Sequence, residues 1–281
     1  MLFLPAFITS LVAAILYKPI STKSVLTNGL ENVLLVTAHP DDECMFFAPT
    51  ILGLHAANVT VSILSLSRGN ADGLGEAREA EYMQSLDVLS IPESRRFIIE
   101  HPDLQDDITK LWDPDVISDV LHPYIVAQNI STILTFDPQG VSGHPNHGSA
   151  FLGARHYARS HDSRVKVYSL ISVPLPTKYL GIVAPLQAKI DLYGIALLEL
   201  AEYAYASVLY MAGRSSHAPF LKSAVSARTM PVFVSGFDNF LIAHRAMRQH
   251  WSQLVWYRWL YVLSSRYMWV NEWQVAVTAQ S

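Results

Sequence analysis

The stretch Ala38-His39-Pro40-Asp41-Asp42-Glu43, placed directly after the apolar run Val33-Leu34-Leu35-Val36, constrains this chain more than any other. An unbroken apolar run containing two β-branched residues reads as a strand buried on both faces. The acidic cluster then falls at the carboxyl end of that strand, where open α/β sheets place their chemistry. His39 and Asp42 are three positions apart, which puts two side chains on one side of a helical turn and leaves Asp41 free. A second apolar run, Ile133-Leu134-Thr135-Phe136, leads to Gly143-His144-Pro145-Asn146-His147 and repeats that spacing. The two clusters together carry enough imidazole and carboxylate to ligate a catalytic metal.

Between and beyond these clusters the pattern alternates. Strands are predicted over 33–36, 59–66, 97–99, 133–136 and 165–171, and helices over 46–57, 76–89, 114–129 and 147–159. Strands alternating with helices predict an α/β fold with a mostly parallel sheet and helices on both faces. The segment 67–75 holds Gly69, Gly73 and Gly75, which permit a tight turn close to whatever lies over the sheet. Asn70 in that turn and Arg78 just after it are candidate substrate contacts, Arg78 for a phosphate. The plainer reading of Arg78 is a surface ion pair with Glu81.

Composition bears on where such a domain works. A chain of 281 residues is long enough for one sizeable domain with an appendage, and its single cysteine, Cys44, excludes an internal disulfide. A net charge of -4 gives no basic surplus for wrapping nucleic acid. A 51% hydrophobic content and a mean hydropathy of +0.22 direct attention to membranes. Residues 1–17 carry no charged side chain and are followed by Lys18 and Lys23, so 1–29 reads as a membrane anchor and joint, short against the ~20 residues of a full span. No positive region precedes the apolar run as a cleavable signal requires, and the lysines on its carboxyl side leave residues 30–281 on the cytosolic face.

Within that domain, residues 172–281 read as a membrane-proximal portion. The apolar stretch 190–211 is interrupted by Asp191, Glu199 and Glu202, which favours a packed or surface-lying helix over a span. The last segment mixes Trp251, Trp256, Trp259, Trp269 and Trp273 with Arg245, Arg248, Arg258 and Arg266. Rings and cations interleaved in this way suit a lipid interface, and an aromatic segment packed on the domain is the open alternative.

A catalytic zinc takes three protein ligands and keeps a position for water, and His39, Asp42 and His147 supply such a set. Asp41 is the free carboxylate for a water proton, and His144 a donor for a leaving group or oxyanion. That set describes hydrolysis of an amide or ester. Acids at a helix start are the simplest alternative account of Asp-Asp-Glu, and Glu43 fits that role. Magnesium prefers oxygen, so two histidines argue against a phosphoryl-transfer module. A noncatalytic membrane-bound subunit with a relic site stays open on the residues alone.

These motifs resemble the LmbE-like zinc deacetylases, and within them the PIG-L branch, whose members remove the acetyl group of N-acetylglucosaminylphosphatidylinositol in GPI-anchor synthesis. The resemblance runs from about Asn32 onward. It takes in 67–75 with Arg78 and Glu81, Leu104-Gln105-Asp106-Asp107 before Trp112, Thr135-Phe136-Asp137 leading to Gly140-Val141-Ser142-Gly143, and the tail from Ser252 to Asn271. It implies a Rossmann-like fold, Zn2+ on His39, Asp42 and His147, Asp41 as general base, and His144 stabilising the tetrahedral intermediate. It further implies a glycolipid substrate and an endoplasmic reticulum membrane protein with its catalytic face in the cytosol. A soluble N-acetyl sugar conjugate is the alternative substrate. Arg68, Tyr82 and Trp251 depart from the family pattern and bear on loop and tail contacts, not on the ligand set.

Overall fold

A computed structural model describes residue 10, residues 12–22, residue 26, residues 32–214 and residues 230–278. Among these, strands β1 (Ile20–Ser21), β2 (Asn32–Thr37), β3 (Thr60–Ser65), β4 (Arg96–Ile98), β5 (Thr132–Phe136), β6 (Lys166–Leu170), β7 (Val232–Val234) and β8 (Val270–Val277) form one sheet ordered β1-β7-β8-β6-β5-β2-β3-β4. The helices are α1 (Asp42–Phe46), α2 (Ala48–Ala56), α3 (Gly75–Val88), α4 (Pro114–Ala127), α5 (Gly140–Gly143), α6 (Pro145–Ser160), α7 (Leu175–Lys178), α8 (Val183–Met211), α9 (Phe237–Met247) and α10 (Trp256–Ser264).

The period of two in β2 divides the core. Val33 and Leu35 pack on one face of the sheet with Phe46, Phe47, Ile51, Tyr82 and Trp273, while Leu34 and Val36 pack on the other with Ile117, Leu121, Ala154 and Tyr157. A strand covered on both faces needs apolar residues at every position, which is why the run is continuous. β2 pairs in parallel with β3 and β5, β3 with β4, and β5 with β6, so the expected parallel sheet stands over that half. Asp113 caps α4 by accepting from the Asp115 backbone N–H, with Pro114 as the first helical residue.

The other half of the sheet is antiparallel and differs from the sequence expectation. β8 pairs antiparallel with β6 and β7, and β7 antiparallel with β1. The tail therefore divides between the two readings left open for it. Trp269 and Trp273 are fully buried and Arg266 pairs with Glu272 at 2.9 Å, whereas Trp251 and Trp256 are exposed.

Residues 12–17 are helical, while 1–9 and 11, which carry most of the expected anchor, lie outside the described residues. The described helix long and apolar enough to cross a membrane is instead α8. It is not packed, because side chains beyond Lys189 are mostly exposed, among them Ile190, Leu197, Leu198 and Leu200. An uncovered helix of this length and apolar content calls for a partner such as lipid. Lys189 is buried at its base and donates to the carbonyls of Ile15 (2.8 Å) and Lys18 (2.5 Å), tying α8 to the end of the 12–17 helix.

Candidate active site

The turn between β2 and α1 is not itself helical at His39. Asp41 stands at the N-cap with φ 104°, a left-handed conformation that is costly for any residue with a Cβ. Glu43 helps hold it there. Its Oε2 accepts from the Asp41 N–H at 3.0 Å, and its Oε1 accepts from Ser85 Oγ and faces His250 Nε2, both at 2.6 Å. Glu43 and His250 are fully buried. Burial opposes the His250 cation, but the Glu43 carboxylate outweighs it and raises the imidazole pKa.

Asp42 opens α1 and is 2% exposed. Its Oδ2 accepts from the N–H groups of Ala38 (3.0 Å) and His39 (2.9 Å), while Oδ1 lies 3.3 Å from His147 Nε2. Burial works against the carboxylate, yet His147 and His39 hold it well below the ordinary range. His147 sits in the first turn of α6, stacked on Phe136 with centroids 4.1 Å apart. Its Nδ1 lies 2.9 Å from the Gly140 carbonyl, so Nδ1 carries the proton and Nε2 keeps its lone pair. That contact depends on Gly140, since a Cβ there would come within 2.6 Å of His147 Cβ. His39 is oriented in the same manner: Nε2 lies 3.1 Å from Asp106 Oδ1 and 3.2 Å from Asn146 Oδ1, which leaves Nδ1 toward Asp42. Burial disfavours its cation, and Asp106 and Asp42 more than compensate.

His39, Asp42 and His147 thus present ligand atoms within 4.8 Å of one another. The donor set fits a metal ion: each imidazole is fixed by a hydrogen bond on its other nitrogen, and one carboxylate oxygen is left clear of the backbone. Two further groupings, His39-Asp106-His144 and Glu43-Cys44-His250, satisfy the same distance. The first shares His39, and in the second the His250–Glu43 contact at 2.6 Å already joins the two side chains directly.

His144 is the N-cap of α6, where its Nδ1 accepts from the Asn146 N–H at 3.2 Å. Nε2 is therefore the protonated nitrogen. Burial, with His39 and His147 nearby, lowers the His144 pKa to about 4, so the ring is neutral at pH 7. His39, Asp41, Asp42, His144 and His147 open onto one cavity of about 800 Å³, lined as well by Arg78, Asp106, Lys178, Tyr179, Arg258 and Tyr261, whereas Glu43 lies behind it.

Residues 34–158 match the protein family described as PIG-L: GlcNAc-PI de-N-acetylase. The chain is 40% identical over 248 residues to the N-acetylglucosaminyl-phosphatidylinositol de-N-acetylase of Bos taurus, covering 88% of this chain and 84% of the relative. It is 32% identical to the probable enzyme of the same name from Schizosaccharomyces pombe, with 85% of each chain covered. This chain belongs to the PIG-L family. The N,N'-diacetylchitobiose deacetylase of Pyrococcus horikoshii shares the fold at 15% identity, with a TM-score of 0.52 over 97% of this chain and 92% of that one. As a PIG-L protein the chain is a deacetylase, a hydrolase of N-acetyl groups, and the expectations of an α/β fold and of an amide hydrolase are both borne out.

The structure adds residues to this PIG-L site that the sequence pattern did not single out. Asp106 orients His39, and Arg258 donates through Nη1 to Asp41 Oδ2 at 2.6 Å. In sequence Arg258 reads as one of the lipid-facing cations, because nothing local ties it to a residue 217 positions away. Arg78 does reach the cavity wall, but its guanidinium donates to the carbonyls of Gly69 (2.8 Å) and Pro40 (2.7 Å) and to Asp106, so it braces the floor and does not pair with Glu81. Glu81 instead accepts from the N–H and hydroxyl of Ser252. Asn70 does not line this cavity; its Oδ1 accepts from the Gly75 N–H at the start of α3. The departures from the family pattern lie outside the ligand set: Arg68 pairs with Glu79 and Glu100, and Tyr82 donates to the Phe97 carbonyl.

Proposed function

We propose that this chain hydrolyses the acetamide of N-acetylglucosaminyl-phosphatidylinositol to acetate and the free amine in GPI-anchor synthesis. The observation that carries this reading is the single cavity in which the His39-Asp42-His147 trio, the Asp41 carboxylate and the His144 N–H converge beneath an apolar rim. His39 Nδ1, Asp42 and His147 Nε2 would hold Zn2+ and leave a position open. When bound, that ion supplies Lewis acidity that activates water and polarises the amide carbonyl.

The chain's own groups do the rest. Asp41, turned into the cavity by its left-handed backbone, takes the proton of the attacking water. Water oxygen bonds to the carbonyl carbon, the C–N bond breaks, and the proton passes to the departing amine. Neutral His144 directs its Nε2–H at the oxygen that gains charge, the geometry of an oxyanion donor. Asp106 keeps His39 in the orientation a ligand requires.

A lipid-linked substrate suits the surroundings of the cavity. Leu175, Tyr179, Tyr257 and Leu260 line it and are exposed, and the unpacked α8 rises from the neighbouring segment. We place the domain on the cytosolic face of the endoplasmic reticulum membrane, with the cavity mouth toward lipid. Asp41→Asn tests the chemistry: acetate release from the glycolipid should fall by about 10²–10⁴-fold with metal content unchanged. Undiminished turnover would remove Asp41 from the reaction.

A further inference from the structure

The outer wall of the cavity carries two cations that the proposed hydrolysis leaves wholly or partly unengaged, Lys178 and the outer edge of Arg258. Lys178 ends α7, lines the cavity and donates to the Val141 carbonyl at 2.5 Å. It has no carboxylate partner among the described residues. Arg258 lies on α10 and uses only Nη1 on protein, toward Asp41 Oδ2 and Met45 Sδ. Its Nε and Nη2 have no protein acceptor among the described residues, and the side chain is 26% exposed.

The two cations stand on adjoining walls. Tyr179, next to Lys178, makes an edge contact with Tyr261, one turn from Arg258 on the same face of α10, with ring centroids 6.1 Å apart. The Gly181 N–H donates to the Ser264 carbonyl at 2.8 Å and holds the two segments together. Arg78, the remaining guanidinium of the cavity, is already bound to backbone carbonyls and Asp106. An anion entering the cavity from the apolar rim therefore meets Lys178 and the open edge of Arg258.

We propose that Lys178 and Arg258 form a phosphodiester subsite that registers a phosphorylated glycolipid against the reacting centre. The planar guanidinium accommodates two phosphate oxygens on its free edge while Nη1 stays on Asp41, and the Lys178 ammonium neutralises the remaining charge. Because one side chain touches both Asp41 and the phosphate, the subsite fixes the distance between the charged group of the substrate and the carboxylate beside the scissile amide. This inference rests on the deacetylation of a phosphatidylinositol-linked sugar proposed above. It assigns the phosphate to residues that reading does not name.

The test compares two substrates on the full-length protein in detergent: N-acetylglucosaminyl-phosphatidylinositol and N-acetylglucosaminyl-inositol, which lacks the phosphodiester. Lys178→Gln and Arg258→Gln should each raise KM for the phosphorylated substrate by about 10- to 100-fold, the loss of one charge-assisted bond. KM for the unphosphorylated compound should be unchanged in Lys178→Gln. Arg258→Lys should recover part of the loss. Glycerophosphoinositol should bind the wild type by calorimetry and bind both glutamine variants at least tenfold more weakly. Equal losses on both substrates, or unaltered KM and glycerophosphoinositol affinity, would overturn the subsite. So would variants that weaken binding to anionic vesicles while leaving the substrate comparison intact, since the cations would then serve bulk lipid. A wild type that binds glycerophosphoinositol but releases acetate from neither substrate would instead refute the functional reading and leave the anion site standing.

Discussion

Glu43→Gln is an isosteric change whose cost follows from counting donors. Three of them converge on the buried carboxylate: the Asp41 N–H, the Ser85 hydroxyl and His250 Nε2. Glutamine offers one acceptor oxygen and one NH2 in the same volume. If its oxygen stays toward Ser85 and His250, the NH2 confronts the Asp41 N–H and leaves a buried donor without a partner. If the amide turns over, Ser85 can accept, but His250 must give up its Nε2 proton and with it the charge, and its remaining proton sits on Nδ1, which has no partner in its fully buried position. Either arrangement orphans one donor, worth about 1–3 kcal/mol, and loses about 1 kcal/mol more of charge-assisted bonding. The expected destabilisation is about 2–4 kcal/mol, which at a urea m-value near ~3 kcal/mol/M lowers the unfolding midpoint by about 1 M. Asp41 also loses the bond that holds its left-handed backbone, so kcat should fall by at least ~10-fold with metal content unchanged, because small misplacements of a reacting group are costly. The assay pairs urea unfolding of the detergent-solubilised protein with acetate release. A midpoint and kcat both equal to wild type would refute the argument.

The His250–Glu43 pair gives stability a pH dependence of defined sign. The His250 pKa is raised above its ordinary 6.5 in the folded protein, so the pair's contribution is fully present below about pH 6.5 and is lost as pH rises through the folded value. The melting temperature should therefore decline between neutral and alkaline pH more in wild type than in His250→Gln, and parallel curves would refute this. On α10, Trp256, Leu260 and Leu263 are exposed at spacings that share one face, and Cys44 is the single, buried cysteine. A dye on Leu263→Cys in reconstituted vesicles should be quenched by spin-labelled lipid, while one on Ala127→Cys at the opposite end of the sheet should not. Equal quenching at the two positions would remove α10 from the membrane surface.

Much of this fold could be read from the chain because its first 170 residues follow local periods. The continuous apolar runs of β2 and β5, and the proline-led starts of α4 and α6, each carry their own signal, and the His39-Asp42 and His144-His147 pairs fall where those runs end. What local pattern cannot express is a partner far along the chain. β8 was hidden because Trp269 and Trp273 look the same in sequence whether they meet lipid or Phe47, onto which Trp273 stacks with centroids 5.8 Å apart. Asp106 is one acid in a turn of acids, and only the approach of His39 distinguishes it from Asp107. Asn70 shows the converse: a glycine-rich turn beside a sheet does not reveal in sequence that the Asn70 side chain accepts from the Gly75 N–H within the turn itself.

The antiparallel strand β8 lies between β6 and β7, although it is the last described strand to be made. His250 and Arg258, which engage Glu43 and Asp41, are likewise translated more than two hundred residues after their partners. On the ribosome, the motif at the end of β2 must therefore wait for these partners until residue 258 has emerged. A chain stopped before residue 250 keeps His39, Asp42 and His147 while lacking the interior strand β8, the His250 partner of Glu43 and the Arg258 partner of Asp41.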